Sequence, residues 1–271
     1  MIEPQNPQCV QTSVTGSAVF HGDCLEIMRH IPDGSVDMIL CDLPYGTTAC
    51  NWDTIIPFDK LWRQYERIIK DNGAIVLTAS QPFTTILINS NLRSFKYCWY
   101  WDKLNAGSFV TAKYKPLSVI EDVCVFSKKG GKTKYFPIME QAEEKNKRPR
   151  NKQHKRKEDN SNSMGSGVFK YSENHNEDLR YPKNKLVYNN RKGELNPINR
   201  LHPTQKPVSL FEYLILTYTK ENEMVLDNCA GSGTTAIACI NTNRNYILIE
   251  KEQKHFDIMI KRIEKHNKSK A

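Results

Sequence analysis

Seven short apolar runs set the strongest constraint on this chain: Ala18–His21, Val36–Cys41, Ala74–Thr78, Tyr97–Trp101, Val119–Phe126, Met224–Leu226 and Tyr246–Ile249. They are too short for helices and read as strands, several of them buried on both faces. Helical spacing appears between them. Phe58, Leu61, Trp62, Tyr65, Ile68 and Ile69 form one apolar stripe, and Phe211, Leu214 and Ile215 form a second after Pro207. A third runs through Phe256, Ile260 and Ile263 and ends in basic residues, which suits the helix dipole. Strand and helix thus alternate, and the expected fold is α/β with a largely parallel, doubly wound sheet.

The middle of the chain breaks the pattern. From Glu143 to Gly167 the sequence is rich in Lys, Arg, Asn and Ser and almost without apolar residues, so it cannot bury enough surface to order itself. The chain carries a formal net charge of +9, and between Lys128 and Arg200 there are 19 Lys/Arg against 9 Asp/Glu. All of the positive excess therefore lies in that segment, and the remainder is close to neutral. A neutral body with one basic module suits a polyanion held at a defined place, although a solvated loop would share this composition. Lys145, Lys147, Arg148, Arg150, Lys152, Lys155, Arg156 and Lys157 are the candidates for phosphate contact. The expected organisation is a catalytic half over 1–127, a basic recognition insertion over 128–200 and a cofactor-binding half over 201–271.

Other classes lose ground on simple counts. No run approaches the length of a membrane span, and the start of the chain has no basic residues followed by an apolar stretch. Eight cysteines are scattered singly without a C-x-x-C pair, so neither a zinc site nor any other metal is expected and a reducing, cytoplasmic setting fits.

Two constellations carry chemistry. The run Val36–Cys41 leads into Asp42-Leu43-Pro44-Tyr45-Gly46, at the carboxyl edge of a strand where open α/β sheets bind ligands. Pro44 stiffens the turn, and Tyr45 offers a flat ring with a polar tip. The second is the strand Met224-Val-Leu-Asp227 and its Gly-rich turn, Asn-Cys-Ala-Gly231-Ser232-Gly233-Thr234-Thr235, followed by a helical run. Glycines let the backbone approach a ligand, and the helix start presents free N–H groups. The strand after it ends in Glu250, 19 residues beyond Gly231, where nucleotide-binding units hold a ribose hydroxyl. Gly-Ser-Gly alone is an ordinary turn; with the strand, helix and acid around it, it points to a nucleoside-type cofactor. There is no three-glycine dinucleotide fingerprint and no G-x-x-x-x-G-K-[ST].

Two smaller elements flank these. His202-Pro-Thr204-Gln-Lys206-Pro207 precedes a helical stripe, with Thr204 as its expected N-cap. Gly22-Asp23-Cys24 closes the first strand, where Asp23 can open a helix or accept from an amine.

In this order the elements resemble the DNA amino-methyltransferases, which make N6-methyladenine or N4-methylcytosine, and their beta group in particular. Asp42-Leu-Pro-Tyr45 matches the family's Asp-Pro-Pro-Tyr, then come a recognition region, His-Pro-Thr-Gln-Lys-Pro and the Gly-Ser-Gly loop. The resemblance implies a Rossmann-like sheet of seven strands, one of them antiparallel. It implies S-adenosylmethionine as cofactor, with Asp227, Gly231, Ser232, Gly233, Thr234 and Thr235 around its methionine part. His202, Thr204 and Lys206 would lie near the cofactor's carboxylate, Glu250 on the ribose and Asp23 on the adenine amine. The implied partner is double-stranded DNA; a homodimer and a companion restriction endonuclease, in a bacterial or phage setting, are compatible with it.

Two positions depart from the pattern: Leu43 stands where Pro is usual, and Cys229 where Phe is common. In the implied chemistry, Asp42 and the Leu43 or Pro44 carbonyl accept the two hydrogens of an exocyclic amine, which localises its lone pair for attack on the methyl group. Tyr45 would stack on the base, which must first leave the duplex. Asp at the first motif position favours adenine N6; cytosine N4 is the alternative, and RNA or a protein amide is a more distant one.

Overall fold

The computed structural model describes residues 8–11, 16–47, 53–107, 109–141, 179–192, 195 and 205–270. In chain order the elements are β1 (Gln8–Gln11), β2 (Ala18–His21), α1 (Cys24–Met28), β3 (Val36–Asp42), α2 (Phe58–Ile68), β4 (Ile69–Ala79), α3 (Phe83–Ser90), β5 (Phe95–Gly107) and β6 (Ser118–Ser127). There follow β7 (Glu140–Gln141), β8 (Leu179–Arg180), β9 (Lys185–Val187), α4 (Val208–Tyr218), β10 (Met224–Asp227), α5 (Thr234–Asn241), β11 (Asn245–Glu250) and α6 (Gln253–Lys270).

All seven expected strands form. They lie in one sheet of order β1-β2-β11-β10-β3-β4-β6-β5-β9. Within it, β2, β11, β10, β3 and β4 pair in parallel, while β6 runs antiparallel to both β4 and β5. The sheet has nine strands rather than seven, because β1 joins β2 antiparallel at one edge and β9 joins β5 in parallel at the other. Edge strands of three or four residues carry too little apolar pattern to be read from sequence; in β9 only Leu186 is buried. Short α1 and α3 are equally silent, since neither repeats an apolar stripe over two turns.

The central strands read as continuous apolar runs because helices cover both faces. In β3, Met38 and Leu40 pack under α4, α5 and α6, with Phe211, Leu214, Ala238 and Met259. The alternate residues Ile39 and Cys41 pack on the other side against α1, α2 and α3, with Ile27, Leu61, Tyr65 and Leu87. The stripe foreseen on α2 buries Leu61, Trp62, Tyr65 and Ile68, each contributing about 1.5–3 kcal/mol on removal from water. Ile69, read as the end of that stripe, instead caps the helix and opens β4.

The strand order fixes where a site can be. From β3 the chain winds outward to β4; from β10 it winds the other way, through α5 to β11. The adjacent strands β3 and β10, paired at Val225–Met38 and Leu226–Ile39, therefore form the point where the winding reverses. Ligands bind beyond the carboxyl ends of such strands. Those ends are Asp42 and Asp227, far apart in sequence.

By packing the chain divides into a main unit, 1–136 with 184–271, and a small unit, Pro137–Lys183. The described part of the small unit is the antiparallel pair β7–β8. The basic run 143–167, with Lys145, Lys147, Arg148, Arg150, Lys152, Lys155, Arg156 and Lys157, lies outside the described residues, as do His202 and Thr204. Among the described residues, no helix is long and apolar enough to cross a membrane.

Candidate active site

A cavity of about 500 Å³ opens at the reversal point. Asp42, Leu43, Pro44 and Tyr45 line one side; Asp227, Gly231, Ser232, Thr234 and Glu250 line another, with Asp23 and Lys206 between them. The two motifs recognised in sequence thus share one space. Gly233 and Thr235 are not among its lining residues.

Asp42 ends β3 and is held from three directions. Its Oδ1 accepts from the Tyr45 hydroxyl at 2.8 Å and from the Thr78 hydroxyl. Its Oδ2 accepts from Lys206 Nζ at 2.7 Å. Thr78 is the register partner of Asp42 across the β3–β4 pair, so the sheet itself delivers that hydroxyl. The Tyr45 ring stacks on Phe83, with centroids 4.9 Å apart and an interplanar angle of 23°. Leu43 turns into the core with 4 % exposure, so an aliphatic side chain serves there as well as the usual proline. The loop beyond is fastened by Asp53, whose two oxygens accept from the backbone N–H groups of Gly46 and Thr47, both at 2.9 Å. Gly46 has φ +66, a conformation that disfavours a side chain.

The family resemblance sets Lys206 near the cofactor's carboxylate. Its ammonium lies 2.7 Å from Asp42 and 3.7 Å from Glu121 Oε2. Glu121 in turn accepts from Lys103 at 3.0 Å through Oε1. Burial alone would lower the Lys206 pKa, but the carboxylates of Asp42 and Glu121 outweigh it and raise the value. The N-cap of α4 is Pro207, and Thr204, expected to cap this helix, lies outside the described residues.

On the opposite wall, Asp227 ends β10 with 3 % exposure. Its carboxylate accepts from Cys229 N at 3.1 Å and from the Thr235 hydroxyl. Burial nevertheless pushes its pKa up to about 6, and nearby Asp42 adds to the rise. The turn passes through Gly231 at φ +52 and Gly233 at φ +77. Glu250, at the end of β11, takes Gly231 N at 2.7 Å on one oxygen and Glu252 N at 2.8 Å on the other. The Gly-rich turn and the acid 19 residues later therefore position each other. Asp23 caps α1 by accepting from Leu25 N at 2.9 Å, and Gly22 N donates to the Glu250 carbonyl at 3.0 Å. Arg262 of α6 braces the loop, donating to the Ser232 carbonyl at 3.0 Å and the Thr234 hydroxyl at 3.3 Å. Cys229, in place of the more usual Phe, lines the cavity beside the Cys24 thiol, whose pKa is lowered by their hydrogen bond.

Thr78, Glu121, Lys103, Asp53 and Arg262 carry no signal in the sequence. Only strand register or tertiary packing brings them to the site, and none belongs to a local motif.

Comparison with known proteins agrees with this geometry. The N6/N4 methylase family, described as DNA methylase, matches residues 36–261. The type II methyltransferase M2.MboI of Moraxella bovis is 26 % identical, over 90 % of this chain and 86 % of its own length. The DNA adenine methyltransferase YhdJ of Escherichia coli K12 is 24 % identical, over 91 % of this chain and 82 % of its own. Among solved structures, the M1.HpyAVI–SAM complex superposes with a TM-score of 0.59 at 24 % identity, covering 90 % of this chain and 98 % of the other.

Proposed function

Because the chain belongs to the N6/N4 family of DNA methylases, we propose that it transfers a methyl group from S-adenosylmethionine to adenine N6 of DNA at a specific site. The observation that carries the reading is the single cavity shared by Asp42-Leu-Pro-Tyr45 and the Gly231–Thr234 turn. The choice of adenine rests on Asp42 at the first motif position and on similarity to an adenine methyltransferase. Modification-sensitive sequencing of DNA from cells expressing the chain tests it; N4-methylcytosine, or no modified base, would refute the adenine assignment.

The residues fit the cofactor. Asp227 is a buried carboxylate with too little compensation, which suits a cationic amino group. Glu250 is fixed by two backbone N–H groups and lines the cavity, as a ribose acceptor must. When bound, S-adenosylmethionine supplies an electrophilic methyl group on a sulfonium. Asp42 accepts a hydrogen from the target amine through a charge-assisted bond, while a carbonyl of the Leu43–Pro44 turn accepts the other. Tyr45 and Thr78 fix the carboxylate in advance through Oδ1, so the contribution of these residues is orientation and electrostatic preorganisation. Lys206 is assigned to Asp42 rather than to the cofactor's carboxylate.

The pH dependence of cofactor binding follows from Asp227. With a pKa near 6, it is mostly protonated at pH 5 and mostly ionised at pH 7. A cationic group binds the ionised form, so affinity for S-adenosylmethionine should rise about tenfold between those pH values. Calorimetry checks this; in Asp227→Asn the affinity should be weak and the profile flat.

DNA is the polymer this surface suits. Around the β5–β6 connection, Phe109, Val110 and Tyr114 are exposed, Val110 at 96 % and Tyr114 at 88 %. Lys113 and Lys115 lie among them, and the Arg191 guanidinium sits 6.0 Å from the Phe109 ring. Aromatic and basic groups so interleaved fit bases and phosphates. We assign further phosphate binding to the basic run. Deleting Glu143–Gly167 should weaken DNA binding and flatten the salt dependence, by roughly 0.9 in log–log slope for each phosphate that is no longer neutralised. A titration at several salt concentrations with unchanged slope would show that the run is solvated padding. A cytoplasmic setting, a homodimer and a companion endonuclease belong to the same reading, supported by the family resemblance and by the type II name of M2.MboI.

A further inference from the structure

Asp42 has donors on both of its carboxylate oxygens, so a substrate amine would have to compete with one of them. The hydroxyls of Tyr45 and Thr78 take Oδ1, and the Lys206 ammonium takes Oδ2 at 2.7 Å. That ammonium also lies 5.8 Å from the centroid of the Tyr45 ring. Lys206 is only 8 % exposed, so its charge must stay paired wherever it moves.

A second acceptor stands beside it. Glu121 uses Oε1 for Lys103, whereas Oε2 is sealed from solvent and has no hydrogen-bond partner among the described residues. Its distance to Lys206 Nζ is 3.7 Å, within ion-pair reach but beyond a hydrogen bond. An unbonded buried carboxylate oxygen is costly, and a shift of about 1 Å by the ammonium would satisfy it. Two carboxylates, Asp42 and Glu121, face two ammonium groups, Lys103 and Lys206, so the exchange leaves the local charge unchanged.

We propose that Lys206 is a placeholder for the target amine: it holds Asp42 Oδ2 between turnovers and passes to Glu121 Oε2 when an amine arrives. Glu121 is then a positioning residue, acting through Lys206 to free Asp42 for the base. No proton changes hands in the exchange. The inference rests on the reading of the chain as a DNA base methylase.

The test is Glu121→Gln, which keeps the shape and one acceptor but removes the charge that draws Lys206 away. With cofactor and a duplex carrying the mapped site, the single-turnover rate should fall tenfold or more. Cofactor affinity by calorimetry should stay within twofold of wild type. Fluorescence of 2-aminopurine at the target position should report less base extrusion, with or without cofactor. In a Lys206→Met background the same substitution should have no further effect on rate, because nothing remains to be moved. A wild-type rate in E121Q, or the same fold loss in both backgrounds, overturns the exchange. A wild-type chain that labels no DNA overturns the methylase reading along with it.

Discussion

Asp42→Ala is expected to reduce methyl transfer by about a thousandfold or more while cofactor affinity stays close to wild type. The lost group is a charged acceptor aimed at an amine whose charge changes during transfer, and such preorganised groups contribute on the order of a hundredfold to a thousandfold. Loss of the orienting hydrogen bond adds to this. The fold should survive. Tyr45 and Thr78 still hydrogen-bond each other at 3.1 Å, and Lys206 keeps Glu121 within ion-pair reach. Asp42→Asn retains an acceptor oxygen without the charge, so it should lose less, about tenfold to a hundredfold. A radiolabel transfer assay beside calorimetry separates the outcomes. Full activity in the alanine variant, or a loss matched by weaker cofactor binding, would remove Asp42 from its assigned place.

The site is legible wherever function sits at the end of a strand with its own local signature. Asp42, Asp227 and Glu250 each close a strand whose apolar run can be read without a partner, and Gly231 and Gly233 mark a turn that needs positive φ. Their convergence follows from the sheet order, because β3 and β10 are neighbours at the reversal point. Thr78 is invisible in the sequence because its role depends on register: it faces Asp42 only once β4 pairs with β3. Glu121 stands opposite Trp101 in the β5–β6 register and reaches Lys103, two residues along, only once that pair has formed. Lys206 is legible as a site residue, but its partner is not. In sequence it stands beside a helix start, which suggests an anion nearby; in the fold that anion is the carboxylate of Asp42.

The fold is legible to a similar limit. Periodicity discloses every long buried strand and the helices with repeated apolar stripes, because burial on one or two faces dictates those patterns. The edges β1 and β9 escape it, since a strand of three or four residues is too short to repeat a pattern, and its place is set by pairing to its neighbour.

Gly233→Ala should be the most damaging single-methyl change in the Gly-rich turn, and Gly231→Ala is its control. Both glycines have positive φ, +77 and +52, so an alanine costs about 1–2 kcal/mol in either place. Only Gly233 adds a collision: a Cβ there would lie 2.7 Å from Met259 Cγ and 3.4 Å from its Cβ, whereas one at Gly231 meets nothing within 4 Å. Met259 is wholly buried and sits in the core beneath α5, so it can yield only by repacking, which costs roughly 1–3 kcal/mol more. Gly233→Ala should therefore lower stability by about 2–5 kcal/mol and the melting midpoint by roughly 5–15 °C. It should also displace the start of α5, and with it Thr235 from Asp227 and Thr234 from Arg262, so cofactor affinity should fall more than tenfold. Gly231→Ala should shift the midpoint by only a few degrees. If both variants melt alike, Met259 is not the constraint and the strain of positive φ accounts for the glycine alone. Trimming Met259 to Ala in the Gly233→Ala background should then recover nothing, whereas a true collision should be partly relieved.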